Sequence, residues 1–424
     1  MKKREKSLWF CGGSFPSALF AGETFVGKLA LGLLACLLVV VWTEVTLGQT
    51  PERVAFRMHR IGNYRGEPCG VGDFNRDGKL DVVAGPYIYY GPDWRRFQFR
   101  EVKGEVDERG IGYRYDFMNL PLDVDHDGWL DVVSCSWHEK WSLWFRNPGP
   151  EEKPWESFLI EEGWNFECGE LVDIDGDGLA HEIMPHVLRT VWYERLPAGS
   201  PKAGFRIHVV SEKHMPFGGG VGDINGDGRP DIIRPAAWFE APRDIRSEPW
   251  KEHPLILGDL DPNKPAHTPQ ILVWDVDGDG LNDLITSSAH GYGIFWYRQV
   301  RKGEEISWER HIVDQSWSQA HSLALGDLDG DGLPELVTGK RFMAHNGSDP
   351  GEFEPLGVYY YKVIRERTSE GTPKVKWWRV VVSFDEGIGS GLNIPLVDLD
   401  GDGDLDIVVT GKWGGPVWFE NLRK

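Results

Sequence analysis

Asp73, Asn75, Asp77 and Asp81 space four oxygen-bearing side chains at positions 1, 3, 5 and 9 of one loop, with glycine at position 6. Oxygens at that spacing, completed by the backbone carbonyl of position 7, suit a hard cation such as Ca²⁺, which takes six to eight oxygen ligands. Glycine permits the sharp turn between them. The set recurs as Asp123, Asp125, Asp127 and Asp131, then as Asp223, Asn225, Asp227 and Asp231. It returns as Asp275, Asp277, Asp279 and Asp283, as Asp327, Asp329, Asp331 and Glu335, and as Asp398, Asp400, Asp402 and Asp406. A further copy, Asp173, Asp175 and Asp177, carries one extra residue and ends in Glu182. Up to seven structural calcium ions are therefore expected. An EF-hand would need glutamate at position 12, where these loops have Ala84, Ser134, Met184, Arg234, Thr286, Thr338 and Val409.

The first aspartates lie 50, 50, 50, 52, 52 and 71 residues apart, so the loops are parts of a repeating unit. After each loop come an apolar β-branched run and an aromatic run, such as "LWFRNPG" or "VWFEN". A third element follows in six units, such as "FRIHVV" or "WERHIV". With the strand that precedes each loop, this makes four strands per unit, the pattern of propeller blades. The last unit lacks its outer strand, and "FRMHRI", Phe56–Ile61, matches the missing element. The expected fold is all-β: a seven-bladed β-propeller of four-stranded blades, closed by its N-terminal strand, which leaves no open edge.

These loops resemble the FG-GAP/VCBS repeats over residues 53–424. The resemblance implies a seven-bladed propeller with calcium loops between the first two strands of each blade. It implies little about activity, because one fold hosts many functions.

Within a blade, the segments before strand one and after strand two share the face away from the calcium loops. His59, His208, His253 and His311 share one register of the outer strand and read as structural, while His126 and His181 lie inside loops. The other seven, His138, His186, His214, His267, His290, His321 and His345, all fall in segments expected on the calcium-free face. Tyr115 and Asp116 precede Asp123 by eight and seven residues, Glu167 precedes Asp173 by six, and Lys412 follows Asp406 by six. These place them on the same face. In blade six, "GKRFMAHNGSDPGE" lengthens the connection there and adds Lys340, Arg341 and His345. The axial histidines form a second candidate set for a divalent metal.

The blade-six segment "WSQAHSLALGDLDGDGLPELVTGKRFMAHNGSDPGEFEPLGVYYYK", with "SSAHGYGIFWY" and "WERHIV" before it, resembles the propeller of the fungal aldos-2-ulose dehydratases. That resemblance implies β-elimination on a keto-sugar. His321, His290 or Tyr115 would remove the proton α to the carbonyl, and Arg341, Lys340 or a histidine-bound metal would stabilise the enolate oxygen. His345 would protonate the leaving group. His138, His186, His267, Asp116, Glu167 and Lys412 would bind the sugar. A non-catalytic ligand-binding or adhesion propeller is the alternative.

Residues 1–49 read as a signal peptide, with Lys2, Lys3, Arg4 and Lys6 ahead of an apolar run, Leu29–Trp42, and cleavage after Gly48. Left uncleaved, the run would be a membrane anchor, although a span needs roughly 20 residues. The protein is expected in the periplasm or outside the cell, as a monomer. Beyond the leader, Cys69, Cys135 and Cys168 are too few for a disulfide framework. A net charge of −20 excludes a nucleic-acid partner. Seven divalent cations would offset most of that charge.

Overall fold

The computed structural model describes residues 53–200, 202–367 and 373–423. The leader and its signal-peptide reading lie outside the described residues. Among the described residues every regular element is a strand, and no helix is long and apolar enough to cross a membrane. Seven four-stranded antiparallel sheets follow one another along the chain, in the arrangement of a seven-bladed propeller. Blades one to six each use four consecutive strands. Blade seven combines Leu396–Val397, Asp406–Val409 and Gly415–Asn421 with the first strand of the domain, Phe56–Tyr64. There Phe56 pairs with Asn421 and Arg60 with Val417.

Strand order within a blade follows from burial. The second strands, such as Asp131–Ser136 and Glu335–Lys340, are buried at every position. Their unbroken apolar runs suit a sheet covered on both faces by neighbouring blades. An outer strand alternates where only one face meets the interior, as over Glu305–His311 of the strand Glu305–Ser318. Each outer-strand histidine stacks on a tryptophan of the third strand: His208 on Trp192 at 4.1 Å, His253 on Trp238 at 4.0 Å, His311 on Trp296 and His59 on Trp418, both at 4.4 Å. Cys69, Cys135 and Cys168 are buried free thiols.

The carboxylate at position 9 braces each loop from below. Asp131 accepts the Val124 N–H at 3.0 Å through one oxygen and the Asn147 N–H at 2.8 Å through the other. Asp81, Asp231 and Asp406 repeat both bonds in their own blades. Burial, with help from the loop aspartates, pushes Asp131 up to about 8 and Asp81 to about 7. Each oxygen retains a second lone pair for a cation above it. Replacing Asp131 by alanine leaves two buried N–H groups without acceptors. The expected cost is about 2–6 kcal/mol, from about 1–3 for each of the two orphaned groups. Urea denaturation of Asp131→Ala beside Asp131→Asn checks this, the asparagine keeping one acceptor and losing less.

Two elements off the repeat meet on the calcium-free side. A two-stranded hairpin, Gly104–Val106 with Gly112–Arg114, lies between blades one and two and was not anticipated from the sequence. The blade-six insertion, residues 341–356, packs on it. The Gly112 N–H donates to Asn346 Oδ1 at 2.9 Å, and the Tyr113 hydroxyl donates to the Ala344 carbonyl. Gly110 has φ +83°, and a Cβ there would sit 2.5 Å from the Phe342 ring. From blade seven, Lys412 Nζ donates to the Met343 carbonyl at 2.7 Å. The insertion is thus fastened at three points.

Candidate functional site

Hairpin, insertion and blade ends together enclose a cavity of about 160 Å³. Its lining includes the aromatic side chains of Tyr113, Phe117 and Trp137 and carries His138, His267, His290 and His345 with Glu167 and Arg341. The strand ends that place these residues lie opposite the acidic loops. Phe117 and Glu167 precede strand one of blades two and three, while Trp137, His138 and His290 follow strand two of blades two and five.

Glu167 is the centre of the charged wall. Its Oε1 is 3.1 Å from His321 Nε2, 3.3 Å from Arg341 Nη1 and 3.6 Å from His290 Nε2. Arg341 also forks onto Glu67, with Nε at 2.6 Å and Nη2 at 3.1 Å from its two oxygens. Paired forks of this kind are the strongest ion pairs available to a guanidinium. Burial opposes ionisation of Glu167, but hydrogen bonds and charge from His290 and His321 outweigh it and hold it well below the usual carboxylate range. For Glu67, burial is outweighed by the Arg341 charge, and its pKa is likewise lowered.

The histidines differ in protonation. Burial, reinforced by the Arg341 charge, lowers His321 to about 4, so it is neutral at pH 7. His290 is raised: burial works against its charge, while Asp349 and Glu167 on either side favour it more. Asp349 lies 3.2 Å from His290 Nδ1 and 2.8 Å from His345 Nδ1, and the two rings stack at 4.3 Å. His267 accepts the Phe217 N–H at Nδ1 (3.1 Å), which leaves its proton on Nε2, and burial lowers its pKa. Burial and then Lys412 lower His138, whose ring stacks on Tyr115 at 4.5 Å.

Of the residues singled out from sequence, the fold gathers His138, Glu167, His267, His290, Arg341 and His345 around the cavity, with His321 directly behind Glu167. The others are elsewhere. Tyr115 stands behind His138, and Tyr113 faces the cavity. Asp116 is buried in the wall, bound by Arg100 at 2.6 Å and Ser134 at 3.0 Å. Lys340 donates to Ser318 Oγ at 2.7 Å. It neighbours Arg341 in an extended segment, where successive side chains point to opposite faces. Lys412 lies over the Tyr113 ring at 3.6 Å, and His186 is buried 3.4 Å from Glu170. His214 sits against the edge of Trp164. Glu67, Tyr113, Phe117 and Trp137 were missed. Glu67 carried a legible signal, since it precedes Asp73 by the same six residues that separate Glu167 from Asp173.

On the opposite face the acidic loops have donor sets for a hard cation. Asp123, Asp125 and Asp127 bring one oxygen each within 4.8 Å of one another, and Asp173, Asp175 and Glu182 do the same. The axial group Glu167, His290 and His321 meets that criterion with one oxygen and two nitrogens.

Residues 123–180 and 275–338 match the family model described as FG-GAP-like repeat. Integrin alpha-V of Gallus gallus is 26% identical over 149 residues, which are 34% of this chain and 14% of that protein. The chain therefore spans a small part of the relative it matches. Among solved structures, the biofilm matrix protein Bap1 of V. cholerae aligns over 88% of this chain and 92% of its own, at 12% identity and TM-score 0.40. The exotype rhamnogalacturonan lyase YesX aligns over 87% and 73%, at 12% identity and TM-score 0.45. At those scores neither likeness bears on what the cavity does. The chain is a seven-bladed β-propeller that includes FG-GAP-like repeats at residues 123–180 and 275–338.

Proposed function

We propose that the protein is exported, holds calcium in its acidic loops, and uses the cavity on the opposite face to bind a keto-sugar and dehydrate it by β-elimination. The observation that carries this reading is the arrangement around Glu167, where a guanidinium and two imidazoles of opposite protonation preference converge beside aromatic side chains. Aromatic side chains interleaved with polar groups suit one small sugar ring. Elimination needs a base for the proton α to the carbonyl, positive charge at the enolate oxygen, and an acid for the departing hydroxyl. Neutral His138, with no hydrogen-bond partner among the described residues, is placed to take the proton. Arg341 supplies the positive charge. His290, whose charged form Asp349 and Glu167 favour from either side, returns a proton to the leaving oxygen, with His345 stacked on it at the mouth.

The Glu167, His290 and His321 donor set also fits a divalent ion with mixed nitrogen and oxygen preference, such as zinc. When bound, such an ion supplies Lewis-acid polarisation of a carbonyl. A second reading, ligand binding without turnover, draws on the closed network in which Arg341 is already paired with Glu67 and Glu167.

The test is to incubate the purified protein with keto-sugars such as anhydrofructose and to follow enone absorbance. Turnover in the wild type that falls about 10²–10⁴-fold in His138→Ala, and less in His345→Ala, is the expected result. Sugar binding without turnover in all three proteins would establish the binding reading instead.

A further inference from the structure

The seven acidic loops differ in what already touches their carboxylates. In blade two, Arg146 reaches back from the third strand to Asp125 at 2.6 Å and Asp127 at 3.5 Å. Arg298 does the same in blade five, to Asp277 at 2.5 Å and Asp279 at 2.7 Å. Lys362 in blade six contacts Asp329 and, at 2.8 Å, Asp331. These three bases share one register, directly after the aromatic run. Each neutralises the residues at loop positions 3 and 5. Blade three receives Arg246 on Asp175 at 2.9 Å, and blade four turns its own Arg229 onto Asp227.

Blade seven has a glutamate in that register, as blades three and four do with Glu194 and Glu240, which pair with His208 and His253. Glu420 pairs with Arg57 at 3.0 Å and His59 at 2.5 Å on the first strand. Position 7 of its loop is Asp404, where the other six loops have Lys79, Trp129, Leu179, Arg229, Leu281 and Leu333. The loop thus carries carboxylates at positions 1, 3, 5, 7 and 9. Among the described residues no lysine or arginine forms an ion pair with Asp398, Asp400, Asp402 or Asp404. The nearby Arg423 lies against Gly330 of the adjoining loop, whose added Cβ would meet Nη1 at 1.8 Å. Asp404 is only 7% exposed, and its Oδ1 has no hydrogen-bond partner. A buried carboxylate oxygen without a partner is costly unless something binds it.

We infer that the loops are unequal calcium sites, and that the blade-seven loop, with Asp404 as an added ligand, is the tightest and clasps the two ends of the propeller chain together. This rests on the calcium part of the proposed function. A cation arriving at blades two, five or six meets a guanidinium or ammonium already on two of its ligands and must displace or tolerate it. At blade seven it meets carboxylates that repel one another, and its charge relieves that repulsion. The clasp follows from the base of the loop. Asp406 accepts the Asn421 N–H at 2.7 Å, and Asn421 is the residue that pairs with Phe56 at the start of the closing strand.

Calorimetric titration of the chelator-stripped full chain with CaCl₂ tests this, with hydrogen exchange over residues 56–64 as a second readout. A tight step followed by a weaker class is expected. Asp404→Asn weakens the tight step at least about tenfold and removes the calcium-dependent protection of residues 56–64. Arg298→Gln strengthens the weak class and leaves the tight step unchanged. Calcium binding with the tight step intact in Asp404→Asn overturns the inference while leaving calcium loops in place. So does an Arg298→Gln titration identical to wild type. A wild-type protein that binds no calcium overturns the calcium reading itself, and the clasp with it.

Discussion

Arg341→Met is expected to lower folding stability by about 3–5 kcal/mol, the cost of leaving a buried ion pair without one partner. Arg341 is 2% exposed, and its guanidinium serves two carboxylates that are themselves buried, Glu67 and Glu167. Methionine fills much of the same volume, so the loss is electrostatic rather than a cavity effect. Two carboxylates whose ionisation the guanidinium supported are then left in a low-dielectric wall. Arg341→Lys is expected to recover little, because an ammonium cannot reproduce the fork onto Glu67. Adding Glu67→Gln to Arg341→Met is expected to restore part of the loss, since the uncompensated charge goes with it. Urea denaturation of the two single variants and the double variant gives the coupling directly. A loss below about 1 kcal/mol in Arg341→Met would show that water reaches this wall and screens it.

Glu167→Gln is expected to keep the fold and lose the chemistry. Arg341 retains Glu67, so no buried charge is orphaned, and the amide keeps the shape of the carboxylate. What disappears is the negative charge that favours protonated His290 from one side and faces His321 Nε2 from the other. The His290 pKa therefore falls, with Asp349 its remaining anionic neighbour. On whichever keto-sugar the wild type turns over, a fall in kcat of about 10²–10⁴ is the scale of a lost general acid. A pH–rate profile separates this from simple misplacement. The limb assigned to the protonated acid moves to lower pH in Glu167→Gln, whereas a variant that only distorts the cavity keeps its limb. Unchanged kcat would remove Glu167 from the site.

The register of the repeats already contained much of the candidate site. The residue six places before the first loop aspartate is Glu67, Phe117, Glu167, Phe217, Pro269, His321 or Leu392 in successive blades. Phe117 and Glu167 line the cavity, and Glu67 and His321 stand behind its charged wall. Glu167 and His321 are conspicuous in sequence because both are polar at a strand entry. Glu67 escaped notice because its role depends on Arg341, 274 residues away. Tyr113 escaped for a different reason. It sits on a hairpin fitted between blades one and two without disturbing the 50-residue period, so repeat arithmetic passes over it. Lys340 was over-read, because adjacency to Arg341 suggests a shared task that strand alternation denies.

The blade count, the four strands of each blade, the acidic loops and the face on which the non-repeat histidines gather were all legible along the chain. All of these follow from short-range periodicity, which a chain expresses within each unit of about fifty residues. Tertiary structure alone decided which side chains touch. Glu167 from blade three meets His290, His321 and Arg341 from blades five and six only because strand entries and exits from distant blades converge at one end of the propeller. It also decided that the insertion, held by Tyr113, Gly112 and Lys412, brings Asp349 between two histidines. Distances of about 3 Å between residues hundreds of positions apart depend on how the blades pack, and no local pattern encodes them.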